Sequence, residues 1–174
     1  MASRSRLRVF LDVDVFIRGT TLPRFPYEVL RHAAQGDIIV VTSPGVLSDA
    51  RAYIHRLFLA FVETEFELLL GSLELEIVSD PSPEEVVASA GLVRDQKDIP
   101  VALAAIQARV DYLVTTDTDF TDDDNSTARL REHLKPIRVG SFLHEVMGWD
   151  SRDLAAIERR SWSEIWPPFW RASE

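Results

Sequence analysis

The chain has 174 residues, 46% of them hydrophobic, and a formal net charge of −9. That size and apolar content suit one compact domain with a single core, and no apolar run approaches the roughly 20 residues a membrane span needs. The absence of cysteine excludes disulfides, thiolate zinc sites and a cysteine nucleophile, so any metal is held mainly by oxygen.

The N-terminal stretch MASRSRLRVFLD passes from basic residues straight into a strand pattern and lacks the apolar core of a signal peptide. The expectation is a cytoplasmic protein with no membrane association. The acidic balance weighs against a nucleic-acid partner, because Lys and Arg supply phosphate contacts. The basic residues are almost all arginine, which suits bidentate phosphate contacts, although the base composition of the gene explains the same bias.

Residues 7–11 (LRVFL) form a continuous apolar run, the pattern of a parallel strand buried on both faces, and it stops at Asp12. Arg18 and Arg24 follow in a segment with Gly19 and Pro23 that reads as a loop. A short helix is expected over 26–35, closed by Gly36, then a buried strand over 37–42 (DIIVVT). Ser43 and Pro44 open a long helix whose stripe of Val46, Ala50, Tyr53, Ile54, Leu57, Phe58 and Phe61 has helical spacing, with an interruption at Gly71.

A strand over 73–78 precedes a helix opened by Ser82, Pro83 and Glu84. Asp98 stands before an apolar helix over 101–108, and 112–116 is the next buried strand, leading into the acid-rich TDTDFTDDDN. A helix over 127–134, a strand over 137–139 and helices over 141–147 and 153–160 complete the pattern. Strands alternating with helices predict a three-layer α/β/α sandwich with a mainly parallel central sheet. Residues 1–140 are expected to form the catalytic domain, and 141–174 a helical and aromatic extension packed on it.

In open α/β sheets ligands bind beyond the C-terminal ends of the strands, near the point where strand order reverses. Asp12 and Asp117 each fall where an apolar strand stops, so neighbouring strands would aim both into one crevice; each alone also reads as a helix cap. Asp49 borders the core-facing stripe of its helix, where an idle charge is expensive, unless it pairs with Arg51 or Arg56. Asp98, between Lys97 and Ile99–Pro100, is by itself a plain N-cap. Buried carboxylates must be paired, protonated or bound to a cation, and convergence of these acids implies Mg²⁺ or Mn²⁺.

Three ordered segments carry a family resemblance: LDVDVFI, SPGVLSDA and KDIPVALAAIQARVDYLVTTDTDF. Together they resemble the PIN-domain ribonucleases, particularly the VapC-type toxins of bacterial toxin–antitoxin pairs, over about residues 7–140. The resemblance implies that Asp12, Asp49, Asp98 and Asp117 correspond to the family's acidic quartet and Asp119 to a further acid. It implies a PIN-like α/β/α core, a Mg²⁺- or Mn²⁺-dependent endoribonuclease and a protein antitoxin. The sequence departs from the family at Asp14, where Asn, Ser or Thr is usual, at Asp49, where many members have Glu, and at Arg109 and Val110, where Gly is frequent.

Oxygen ligands around a hard cation polarise a scissile phosphate and activate water. Asp12 and Asp117 are expected as direct ligands, Asp98 and Asp119 as ligands of a second ion or its water, and Asp49 as the orienter of that water. Thr116 or Thr115 is placed to hydrogen-bond a phosphate oxygen, and Arg18 and Arg24 to contact RNA, unless they belong to an ordinary solvated loop. Asp122, Asp123 and Asp124 read as an exposed turn that repels RNA.

The C-terminal SWSEIWPPFW either packs on the domain's own surface or forms a partner or homodimer patch. Two alternatives to the nuclease remain: a haloacid-dehalogenase-like phosphatase with Asp12 as nucleophile, which Asp14 followed by Val15 and Phe16 fits poorly, and a non-catalytic RNA-binding or regulatory module.

Overall fold

A computed structural model describes residues 5–172. Its centre is β1 (Leu7–Leu11), in which Val9, Phe10 and Leu11 are wholly buried, as a strand covered on both faces requires. On one side lie β2 (Ile38–Thr42) and then β3 (Leu75–Ile77); on the other lie β4 (Tyr112–Thr115) and then β5 (Pro136–Arg138). The five strands, in the order β3-β2-β1-β4-β5, are all parallel. Register pairs Val9 with Val40 and Tyr112, and Leu11 with Val114.

The chain travels outward from β1 through β2 to β3, then crosses back to β4 and continues to β5. Right-handed crossovers running in opposite directions place their helices on opposite faces. One face therefore carries α1 (Val13–Thr21), α2 (Phe25–Ala34), α3 (Pro44–Leu57) and α4 (Ala60–Ser72). The other carries α5 (Pro83–Ala88), α6 (Ile99–Gln107), α7 (Thr118–Thr121) and α8 (Ala128–Arg131). This is the expected three-layer α/β/α sandwich. The reversal of direction falls between β1 and β4, the switch point at which ligands enter such sheets.

Several local expectations need correction. Arg18 lies in the last turn of α1 rather than in a loop. Gly19 is a packing residue of that helix: a Cβ there would lie 2.3 Å from Leu30 Cδ1 and 3.2 Å from the Pro26 carbonyl oxygen, so its absence lets α2 approach α1. The long helix breaks at Phe58 and Leu59, both extended, not at Gly71, which sits in α4 with open space beside it. Turning there returns Val62, Phe66 and Leu69 to the core while Leu57, Leu59 and Phe61 remain exposed. The helix expected over 127–134 is only the single turn α8.

Beyond β5, α9 (Val139–Ser141) runs into a π-helical turn, Phe142–Val146, that buries Phe142 and Leu143. Then come α10 (Ser151–Ile157), α11 (Trp162–Ile165) and a 3₁₀ turn, Phe169–Arg171. This segment wraps the α1–α2–α4 face. Tyr27 is ringed by Trp162, Phe169 and Trp170 at centroid distances of 5.4, 5.1 and 5.7 Å. Trp162 Nε1 donates to the Thr21 carbonyl at 2.9 Å and Trp170 Nε1 to Glu65 Oε2 at 2.7 Å, while Arg171 forms an ion pair with Glu65. Glu28, wholly buried, is met by Arg160 at 2.6 Å and Arg31 at 2.6 Å. These pairings answer the requirement that a buried charge be compensated.

Candidate metal and active site

The site is built at the carboxyl ends of β1 and β4. The backbone ladder continues one residue past β1, with the Asp12 amide donating to the Val114 carbonyl at 3.1 Å, so Asp12 is brought to the end of β4. Its Oδ1 accepts from the Val13 amide at 2.7 Å, capping α1, and its Oδ2 accepts from Thr115 Oγ1 at 2.9 Å. The same Thr115 oxygen accepts the Asp117 amide at 2.9 Å, and Asp117 Oδ1 accepts the Asp119 amide at 2.8 Å. One wholly buried threonine thus ties the two strand-end acids together. Both acids also serve as caps, the alternative open from sequence.

Asp98 enters from the other helical layer, at the start of α6, where its side chain makes no capping bond. The plain N-cap reading therefore does not hold. Burial, followed by the negative charges of Asp117, Asp12, Asp95 and Asp119, pushes its carboxyl up to about 7. Burial likewise raises Asp12 to about 6, against the opposing hydrogen bonds from Thr115 and Val13, with Asp14 and Asp117 adding repulsion. Asp95, Asp98 and Asp119 each bring a carboxylate oxygen within 4.8 Å of the others.

An all-oxygen donor set of crowded carboxylates, two of them held well above the usual range by burial and by repulsion from their acidic neighbours, fits a hard divalent cation. Asp95, Asp98 and Asp119 are spaced so that they could hold such an ion, and Asp12 and Asp117 lie near enough to Asp98 to repel its charge.

Sequence reasoning missed Asp95 and Arg94. Arg94 Nη1 lies 3.1 Å from Asp119 Oδ1, and its Nη2 reaches Asp124 at 2.6 Å and Asp122 at 3.5 Å. Asp123 pairs with Arg131 at 2.9 Å. The acid-rich turn after α7 is thus charge-compensated rather than freely repelling.

The remaining predicted residues scatter. Asp49 is exposed on α3 and makes no hydrogen bond or ion pair among the described residues. Its expected partners are engaged elsewhere, Arg51 with Glu67 at 2.6 Å and Arg56 over the Tyr53 ring at 5.7 Å. Asp14 accepts from Thr116 Oγ1 at 3.0 Å and lies 3.7 Å from Arg18. Arg18, Arg24 and Thr116 line a cleft of about 480 Å³ beside the site, and Arg24 Nε donates to the Arg160 carbonyl at 3.3 Å.

Two solved structures share this fold. VapBC2 from Rickettsia felis, solved bound to a DNA fragment from its promoter, matches with a TM-score of 0.56 and 16% identity, covering 76% of this chain and 98% of that one. PAE2754 from Pyrobaculum aerophilum matches with a TM-score of 0.53 and 18% identity, covering 82% and 91%. No curated protein matches the chain. The sequence profile of the PIN domain matches residues 8–119, a span that runs from β1 through the first turn of α7 and contains the strand-end acids and Asp98. The chain belongs to the PIN-domain family.

Proposed function

We propose that this protein is a Mg²⁺- or Mn²⁺-dependent endoribonuclease that hydrolyses RNA phosphodiester bonds and serves as the toxin of a toxin–antitoxin pair. PIN domains are generally nucleases. The observation that carries the reading is the convergence of Asp12 and Asp117 on Thr115 at the switch point, with Asp98 facing them from the opposite layer. A phosphatase of the haloacid-dehalogenase type has no place in this family.

Asp12, Asp98 and Asp117 would hold a divalent ion, with Asp95 and Asp119 toward a second position, and when bound it would supply the positive charge that polarises a scissile phosphate and acidifies water. The chain's own groups prepare that site. Thr115 fixes the orientation of Asp12, and the start of α7 fixes Asp117. Arg94 offsets part of the negative charge around Asp119. In this reading Arg18, Arg24 and Thr116, which line the neighbouring cleft, contact the RNA backbone. The role of Asp49 rests on the family resemblance alone.

The likeness to VapBC2 supports an antitoxin partner. Apolar surface for it is offered by a groove of about 550 Å³ between the α3–α4 corner and α11, lined by Leu57, Phe58, Leu59, Phe61, Trp162 and Trp166. Among the described residues no helix is long and apolar enough to cross a membrane, and an RNA substrate accords with a cytoplasmic location.

The test is Mn²⁺-dependent cleavage of structured RNA by the purified protein beside its Asp12→Asn and Asp117→Asn variants. Cleavage that disappears in both variants while their circular dichroism is retained supports the reading. Equal cleavage by all three points to a contaminating nuclease and removes its support.

A further inference from the structure

Arg94 stands on the outer side of the acid cluster. Its Nη1 donates to Asp119 Oδ1 at 3.1 Å, and its Nη2 donates to Asp124 Oδ2 at 2.6 Å and to Asp122 Oδ2 at 3.5 Å. Asp119 is also one of three acids, with Asp95 and Asp98, that each bring a carboxylate oxygen within 4.8 Å of the others. A guanidinium therefore already rests on a carboxylate that a second divalent ion would use.

That guanidinium is held in place from behind. Arg131 Nη1 and Nη2 donate to the Asp122 and Asp124 carbonyls at 3.1 and 3.3 Å, which fastens the acid-bearing turn to α8. The Ser126 amide donates to Asp124 Oδ1 at 2.8 Å and leaves Oδ2 for Arg94. At the base of the arginine, Val93 is buried in the core. A single exposed ion pair is weak, but one guanidinium shared among three converging acids is a network.

The inner acids are different. Asp12 and Asp117 accept from Thr115 Oγ1 and from backbone amides, and neither forms an ion pair among the described residues. Arginine stays charged across the working pH range, and a positive charge at this distance repels a dication. An ion on Asp119 must displace Arg94 from three carboxylates or lie beside its charge.

We infer that Arg94 is the built-in cation of the outer half of the cluster: the protein holds one divalent ion, among Asp12, Asp98 and Asp117, and Arg94 keeps a second from settling on Asp95, Asp98 and Asp119. The inference rests on the metal-dependent ribonuclease reading and deepens it, fixing the number of ions and naming the residue that sets it.

Calorimetric titration of the chelator-treated full chain with Mn²⁺ tests it, with the fold of each variant checked by circular dichroism. The parent protein is expected to take up one ion per chain. Arg94→Gln and Arg94→Met are each expected to take up two, the second bound about tenfold or more tighter than any second ion on the parent, because the opposing charge is gone. Adding Asp119→Asn to Arg94→Gln is expected to return the count to one. Lys97→Gln removes the same charge three residues away, from an exposed side chain, and is expected to leave the count at one.

Two ions on the parent protein, a single ion on both folded Arg94 variants, or a second ion gained equally by Lys97→Gln each overturns the inference and leaves the nuclease reading standing. Failure of the nuclease reading looks different: the counts of one and two persist, but the parent protein cuts no RNA in Mn²⁺. Uptake of Mn²⁺ by none of the proteins overturns both.

Discussion

Thr115 Oγ1 donates to Asp12 Oδ2 at 2.9 Å across 103 residues of chain, and the same oxygen receives the Asp117 amide. This hydroxyl registers the two strand-end acids against each other. Thr115→Val keeps the shape and removes the bond. It is expected to destabilise the fold by about 1–2 kcal/mol, since a buried acceptor loses its donor, and to lower Mn²⁺ affinity because Asp12 is no longer held in place. Thr115→Ser is expected to restore most of both. Urea denaturation and calorimetric Mn²⁺ titration of the two variants check this.

The elevated carboxyls couple stability to pH. Asp98 rises from an ordinary 3.8 to about 7 and Asp12 to about 6. The native state therefore binds more protons than the unfolded chain between about pH 4 and 7, and stability from these groups is present at the acid end and lost as pH rises. Without metal, the melting temperature is expected to fall from pH 5 to pH 8, and Asp98→Asn to flatten that fall. Mn²⁺ acts with the opposite sign, binding more tightly as the two acids deprotonate through pH 6 to 7. Melting curves in chelator and in Mn²⁺ at both pH values read the two slopes.

Arg109 holds φ at +52°, a left-handed backbone conformation between α6 and β4, and its exposed side chain makes no hydrogen bond or ion pair among the described residues. A non-glycine residue there costs about 1–2 kcal/mol, part of which glycine returns through the freedom of its unfolded state. Arg109→Gly is expected to stabilise the protein by roughly 0.5–1 kcal/mol. Chemical denaturation checks this, and RNA cleavage is expected to be unaffected.

Trp170 is 5% exposed, packs on Tyr27 and Trp162 and donates to Glu65. Trp170→Ala removes a large buried ring and the hydrogen bond to a buried carboxylate, and is expected to cost about 3–5 kcal/mol. The expected sign is early unfolding in denaturant with retained Mn²⁺ affinity at low denaturant, because the lost contacts lie on the α1–α2–α4 face. Equal loss of metal affinity and stability would show that the C-terminal wrap supports the acids directly.

The parallel sheet was readable because LRVFL, DIIVVT and DYLVT are apolar on both faces and each is followed by helical periodicity. The acids at Asp12 and Asp117 were readable because each stands where such a run stops. The corner at Phe58 and Leu59 was not, since neither glycine nor proline marks it and only tertiary packing of α4 decides where the stripe must leave the core. Arg18 was misplaced because Gly19, a residue of close helix approach, looks like a loop residue in one dimension. Asp95 and Arg94 were invisible for another reason: their proximity to Asp119 is made by the fold across 25 residues, and isolated polar residues in a surface run carry no such signal.

The account's central claim is that Asp12, Asp98 and Asp117 share a divalent ion. Anomalous diffraction from crystals soaked in Mn²⁺ tests this most directly. The predicted result is a manganese peak ligated by Asp98 together with Asp12 or Asp117, lost in crystals of Asp98→Asn. A peak confined to the Asp122–Asp124 turn, or none at saturating Mn²⁺, contradicts it.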